Sequence, residues 1–129
     1  MDEKQVLIVE DESALQDLLQ EALKEAGFAV TVIANGDEAI GHLQDNGQAY
    51  AALVTDIQLS QSGTTGWDVA RAARELNSAL PVVYTTGGAA DEWAVNGVPN
   101  SVLVTKPFAP AQIVTAVSQL LNIGGPTPS

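Results

Sequence analysis

The hydrophobic pattern of the chain alternates between the period of a buried strand and that of an amphipathic helix. Short, nearly continuous apolar runs predict strands that are covered on both faces. Between these runs, apolar residues recur at three- and four-residue spacing, which predicts helices with one buried face. The strands are predicted over residues 5–10, 28–33, 50–55, 81–85 and 98–104, and the helices over residues 15–26, 37–43, 66–76, 89–95 and 110–121.

This alternation predicts an α/β fold with a parallel sheet and helices on both faces. Right-handed crossovers leave few topologies for five βα units, and the natural one is the flavodoxin-like strand order 2-1-3-4-5. We therefore expect a flavodoxin-like (βα)5 three-layer sandwich built on a parallel five-stranded sheet. The domain is predicted over residues 1–122, and the Gly-, Pro- and Ser-containing residues 123–129 are predicted to form a flexible tail.

The composition excludes several classes of function. The chain has 129 residues, no cysteine, and 16 acidic against 5 basic side chains, giving a formal charge of −11. The lack of cysteine excludes disulfides, thiol chemistry and iron–sulfur sites, and the single histidine, His42, excludes a multi-histidine metal centre. A strongly anionic protein is repelled by nucleic acid and by anionic lipid. No apolar run is long enough to cross a bilayer and no signal peptide is recognisable, so we expect a soluble, cytoplasmic protein.

Polar residues with complementary chemistry follow four of the predicted strands. Glu10 and Asp11 follow the first strand, Asp56 the third, Thr86 the fourth and Lys106 the fifth. In a parallel sheet these ends meet in one crevice, where ligands bind. Clustered carboxylates require a hard cation such as Mg²⁺ or Mn²⁺. Together with a lysine and a hydroxyl, they provide the charge neutralisation that phosphoryl transfer needs, and a remaining carboxylate can act as nucleophile.

Four motifs, in order at these strand ends, resemble the receiver domain of two-component response regulators. They are Val-Leu-Ile-Val-Glu-Asp-Glu at 6–12, Leu-Val-Thr-Asp at 53–56, Pro-Val-Val-Tyr-Thr-Thr-Gly at 81–87 and Thr-Lys-Pro-Phe at 105–108. The resemblance covers residues 5–121. It implies a phosphorelay switch that takes a phosphoryl group from a histidine kinase or a histidine phosphotransfer protein and then acts on an unknown downstream protein.

The resemblance also implies the roles of individual residues. Asp56 is expected to be the phosphoacceptor, and Glu10 and Asp11 are expected to bind Mg²⁺ together with it. The main-chain carbonyl of Gln58 is a further expected metal ligand. The other expected site residues are the switch hydroxyl and the phosphate-binding lysine, which are Thr86 and Lys106.

In relatives the peptide bond after this lysine is cis, so the Lys106–Pro107 bond is expected to be cis as well. The resemblance implies no enzymatic activity beyond self-phosphorylation and self-dephosphorylation.

The sequence departs from the usual receiver pattern in several places. The loop after Asp56 is longer than the commonest family spacing, and Ser60 stands where relatives often carry proline. Leu103 replaces the aromatic residue that usually lies three positions before the lysine, so a readout by ring movement lacks its ring. Thr85 directly precedes Thr86, so the choice of Thr86 as the switch residue carries a risk of a one-position error in register.

Alternative functions stay open at this point. Because few residues lie outside the predicted domain, we expect a stand-alone receiver without an output domain, signalling through the face of its last two strands and helices. The alternatives are a receiver excised from a hybrid histidine kinase and a receiver-like interaction adaptor that is never phosphorylated. A flavodoxin is disfavoured by the acids after the first strand, and an aspartyl phosphatase by Gln58 where its acid residue is needed.

Overall fold

The computed structural model describes residues 4–46, 49–59, 63–88 and 92–124. Over these residues, strands and helices alternate along the chain. The strands are β1 (Gln5–Val9), β2 (Ala29–Ile33), β3 (Ala52–Asp56), β4 (Val82–Thr86) and β5 (Ser101–Thr105). The helices are α1 (Ser13–Glu25), α2 (Gly36–Asn46), α3 (Gly66–Leu76), α4 (Trp93–Asn96) and α5 (Pro110–Gly124).

The strands form one parallel sheet in the order β2-β1-β3-β4-β5, which confirms the predicted fold. Alternate residues of each strand enter separate cores, as the period of two in a strand requires. One core joins the sheet to α2 and α3, and the other joins it to α1 and α5. The result is the expected three-layer sandwich. Within the described part of the chain, no helix has the length and apolar content needed to span a membrane.

Several boundaries differ from those predicted. The apolar residues from Val98 onward suggested a strand, but β5 begins at Ser101. The Val98 N–H donates to the Tyr84 hydroxyl instead of to a neighbouring strand, and Asn100 adopts a left-handed φ of 60° that interrupts extended backbone. Helix α5 continues to Gly124, beyond the predicted end of the last helix at residue 121. Residues 89–91 of the predicted fourth helix and residues 125–129 of the predicted tail lie outside the described residues.

Candidate metal and phosphoacceptor site

Three carboxylates converge at the carboxyl edge of the sheet. Strands β1 and β3 are neighbours, and Glu10 and Asp11 follow β1 directly while Asp56 ends β3. One carboxylate oxygen from each side chain lies within 4.8 Å of those of the other two. Glu10 and Asp56 are almost wholly buried, with 1% and 4% of their surface exposed, and Asp11 is half-buried. The convergence expected from the strand ends is therefore present.

Glu10 is held in place through both its backbone and its carboxylate. Its N–H donates to the Ile33 carbonyl at 3.1 Å, and the Glu12 N–H donates to its Oε2 at 3.0 Å. The Gln16 amide Nε2 donates to the Glu10 carbonyl at 2.6 Å, tying the acidic turn to the first turn of α1. Sequence reasoning missed Gln16, and its only signal was a polar amide one helical turn after the acids.

Lys106, the residue that follows β5, supplies the opposing charge. Its N–H donates to the Thr86 carbonyl at 2.7 Å, and the Lys106–Pro107 peptide bond is cis, as the resemblance implies. The ammonium Nζ lies 3.4 Å from Asp56 Oδ2 and 3.7 Å from Glu10 Oε1. One lysine thus contacts both buried carboxylates.

The site nevertheless carries more negative charge than Lys106 offsets. Burial, reinforced by repulsion from Asp56 and Asp11, raises the pKa of Glu10 to about 7, although the Glu12 N–H and Lys106 oppose this. Burial is also the main cause of the raised pKa of Asp56, with Lys106 acting in the opposite direction.

Two buried carboxylate oxygens in the site also accept no hydrogen bond among the described residues, namely Glu10 Oε1 and Asp56 Oδ1. Lys106 Nζ lies 3.7 Å from the first of these, beyond hydrogen-bond distance. Clustered carboxylate oxygens without hydrogen bonds are the donor set that a hard divalent cation takes. The acidic pocket of Glu10, Asp11 and Asp56 therefore fits a divalent metal.

The backbone after Asp56 is positioned by close packing against α3. The Ile57 N–H donates to the Thr85 carbonyl at 3.0 Å, and the Gly66 N–H donates to the Ile57 carbonyl at 2.9 Å. A Cβ at position 66 would lie only 2.2 Å from the Asp56 carbonyl oxygen, so glycine is required there. A backbone hydrogen bond from Gln58 lowers the pKa of Asp56, which places Gln58 beside the carboxylate, while its role as a metal ligand stays a prediction.

The far end of the loop after Asp56 is fastened to two helices. The Thr64 hydroxyl donates to Asp37 Oδ1 at the start of α2. Thr65 and Asp68 form a capping box at the start of α3, with the Thr65 N–H donating to Asp68 Oδ2 at 3.0 Å. The longer loop is thus anchored at both ends. The predicted departure at Ser60 lies outside the described residues.

The two neighbouring threonines at the end of β4 have different surroundings. Thr85 is the register partner of Asp56, and its buried hydroxyl has no hydrogen-bond partner among the described residues. Thr86 is the last residue of β4, and its hydroxyl accepts the Gly88 N–H at 3.1 Å. Thr86 thus lies one position beyond Asp56 towards the crevice. Its role as the switch hydroxyl stays a prediction.

The family model of the response regulator receiver domain matches residues 6–118. The chain belongs to this family. Among curated proteins, the receiver is 35% identical over 121 residues to the transcriptional regulatory protein CusR of Escherichia coli K12. The match covers 92% of this chain and 52% of CusR. The chain thus spans about half the length of this relative.

Two other similar proteins have nearly the same length as the chain. The response regulator receiver protein CpdR of Brucella abortus is 32% identical over 124 residues, which cover 92% of this receiver and 97% of CpdR. The crystal structure of a response regulator receiver protein from Sinorhizobium medicae WSM419 superposes with a TM-score of 0.91 at 45% identity. That match covers 96% of this chain and 98% of the other. The receiver fold and family therefore rest on sequence and structure together.

Proposed function

We propose that this receiver is a phosphorelay response regulator in which Asp56 accepts a phosphoryl group from a phosphohistidine donor with Mg²⁺. The observation that carries the proposal is the acidic cluster of Glu10, Asp11 and Asp56 with Lys106 against it, in which two buried carboxylate oxygens accept no hydrogen bond from any described residue. The response regulator family of the chain supports it.

The proposed reaction balances as a simple group transfer. The P–N bond of the donor phosphohistidine breaks, a P–O bond to the Asp56 carboxylate forms, and the released imidazole takes up a proton. Lys106, whose Nζ is 3.4 Å from Asp56 Oδ2, neutralises the charge on one phosphoryl oxygen. The Thr86 hydroxyl donates a hydrogen bond to another phosphoryl oxygen. Glu10, Asp11, Asp56 and the Gln58 carbonyl would hold Mg²⁺ (or Mn²⁺), which would supply the remaining charge neutralisation.

Water then removes the group by attack on phosphorus, which regenerates the Asp56 carboxylate and releases inorganic phosphate. The receiver is on this account a phosphoacceptor with self-phosphorylation and self-dephosphorylation activity, and it has no external substrate to turn over. The added charge of about −1.5 to −2 is enough to rebias a bistable surface. A histidine kinase or phosphotransfer protein is the proposed donor, and a protein is the proposed downstream target.

We further propose that the receiver works in the cytoplasm without a linked output domain, and that neither nucleic acid nor membrane is a direct partner. The match to CpdR over 97% of that protein supports the stand-alone arrangement, and the formal charge of −11 disfavours polyanions. An immunoblot of source cells should detect a 13.4 kDa polypeptide in the cytoplasmic fraction. A longer polypeptide would instead support a receiver within a hybrid kinase or a multidomain regulator.

Intact mass spectrometry after incubation with acetyl phosphate and Mg²⁺ tests the proposal. We expect one added phosphoryl group, which disappears with a chelator and in Asp56→Asn. Asp45→Asn, a change at an exposed acid on α2, is the matched control and should retain the adduct. An adduct that persists in Asp56→Asn would contradict the proposal. A folded protein with neither adduct nor Mg²⁺ binding would support the non-phosphorylated adaptor instead.

A further inference from the structure

Tyr84 on β4 lies beside the position on β5 where receivers usually carry an aromatic residue. Leu103, at the usual aromatic position, is the register partner of Tyr84 on β4, and both belong to the core between the sheet and α3. Tyr84 is fully buried, and its ring lies against Trp67 at a centroid distance of 4.8 Å. Because side chains alternate along a strand, Tyr84 faces the same side as Thr86, two residues later.

The hydroxyl of Tyr84 begins a chain of hydrogen bonds that reaches the surface. It accepts the Val98 N–H at 3.1 Å. The Val98 carbonyl in turn accepts the Ser101 hydroxyl at 2.7 Å, and Ser101 Oγ accepts the Trp93 indole N–H at 3.0 Å. Both backbone polar groups of Val98 are therefore held by side chains, and the chain of contacts links β4 to the single turn of α4.

Among the described residues, few other side chains bond to helix α4. It has four residues, none of them buried, and Trp93 and Val95 are 36% and 84% exposed. The Arg71 guanidinium donates to the Asn96 carbonyl at 3.2 Å, but this contact is exposed. A single helical turn with no fully buried side chain is the kind of segment that opens at low free-energy cost. The hydrogen bond from the Trp93 indole to Ser101 is the polar contact that connects α4 to the bonds running back to Tyr84.

We propose that Tyr84 transmits the state of the phosphoacceptor site to the exposed Trp93, in place of an aromatic ring at position 103. A shift of Thr86 towards the phosphoryl group moves β4 and withdraws the Tyr84 hydroxyl from Val98, which releases Ser101 and the Trp93 indole. This inference rests on the proposed function, because it needs a group on Asp56 to which Thr86 responds.

Amide hydrogen exchange by NMR, with and without beryllofluoride and Mg²⁺, tests the inference. Beryllofluoride mimics the phosphoryl group on Asp56. In the unmodified protein we expect beryllofluoride to accelerate exchange of the Val98 amide by about tenfold, as loss of one partly buried hydrogen bond implies, and to shift the Trp93 indole resonance. In Tyr84→Phe, Val98 should exchange fast without beryllofluoride and respond no further.

Tyr50→Phe is the matched control, because Tyr50 is the other buried tyrosine and its hydroxyl contacts His42 on α2. It should keep the full response of Val98 and Trp93. If Tyr84→Phe does not fold, Ser101→Ala serves as a second variant. It should abolish the response of the Trp93 indole while leaving that of Val98.

Intact mass after acetyl phosphate separates the two possible failures. If the adduct forms and beryllofluoride binds, but Val98 and Trp93 do not respond, the inference is overturned and the proposed function stands. A full response in Tyr84→Phe would likewise overturn it. If neither group binds to the folded protein, the proposed function fails and the inference fails with it.

Discussion

Helices α3 and α4 are held to the receiver by different forces. Helix α3 buries five residues, namely Gly66, Trp67, Val69, Ala70 and Ala73, and begins with a capping box. Helix α4 buries none and is tied to the rest of the protein by side-chain hydrogen bonds. The helix that packs against the backbone of Asp56 is thus fixed by close packing, whereas the single turn of α4 has no buried side chain. Disturbing α3 should therefore lower global stability more than disturbing α4.

The largest expected effect comes from disturbing the packed side. Gly66→Ala would place a Cβ 2.2 Å from the Asp56 carbonyl oxygen, and backbone on both sides leaves little room to yield. We expect a loss of about 3 kcal/mol or more in the free energy of unfolding, measured by urea denaturation. Gly41→Ala is the control, because nothing lies within 4 Å of its Cβ, and it should stabilise α2 by about 0.5–1 kcal/mol. Equal stability of the two variants would contradict the close packing.

The buried charge of the site should make stability depend on pH. The folded pKa of Glu10, about 7, lies above its ordinary value of 4.5, so the protonated form is favoured by folding. The stability this contributes is complete below pH 4.5 and is lost as the pH rises through 7. Glu10→Gln removes the effect, so its stability relative to the unmodified protein should rise by on the order of 2 kcal/mol between pH 5 and pH 8.

Thermal or urea unfolding in the presence of a chelator measures this difference. The pKa of Asp56 is also raised. Because Asp56 is present in both proteins, its contribution to the pH dependence of stability largely cancels in the comparison. A difference that does not change with pH would show that Glu10 does not titrate differently in the folded and unfolded states.

Metal binding should offset the repulsion among the carboxylates of Glu10, Asp11 and Asp56. At ten times its dissociation constant, Mg²⁺ should stabilise the receiver by about 1.4 kcal/mol, because it binds the folded state and not the unfolded chain. The increase in Tm at pH 8 should vanish in Asp11→Asn and Asp56→Asn, and persist in Asp45→Asn, which lies away from the cluster. Equal stabilisation of all four proteins would place the cation elsewhere.

The smallest effect on global stability is expected on the α4 side. Arg71→Gln removes the guanidinium contacts with Asn96, which are exposed, so the free energy of unfolding should fall by less than about 1 kcal/mol. Amide exchange at residues 93–97 should nevertheless accelerate, because that segment has few other restraints. A large global loss with unchanged local exchange would mean that α4 is an integral part of the packed core.

Much of the fold and of the site geometry could be predicted from the sequence. The buried runs before Glu10 and Asp56 identify strands because a parallel sheet is apolar on both faces, and the strand order then brings the acids together. The apolar spacing predicted a helix over residues 66–76, which α3 confirms, but the close approach of Gly66 to the Asp56 carbonyl depends on tertiary packing.

The β4–α4–β5 region was predicted less well. The apolar residues from Val98 onward predicted a longer β5. This prediction was wrong because the Val98 N–H bonds to the Tyr84 hydroxyl, and a partner fourteen residues earlier in the chain cannot be inferred from the local pattern. The opposition of Tyr84 and Leu103 depends on the register of two strands, which local pattern does not specify. The hydrogen bond from the Gln16 side chain to the Glu10 carbonyl was also missed, because the local pattern does not specify which groups a polar side chain contacts.

The most direct test of the central claim is to locate the phosphoryl group chemically. Borohydride reduction of the receiver after acetyl phosphate and Mg²⁺ converts a phosphorylated aspartate to homoserine, which peptide mass spectrometry assigns to one position. We expect homoserine at position 56 alone, and only when both the donor and Mg²⁺ are present. Homoserine at position 11, or labelling that continues without Mg²⁺, would contradict the assignment of Asp56 as the phosphoacceptor held beside a metal.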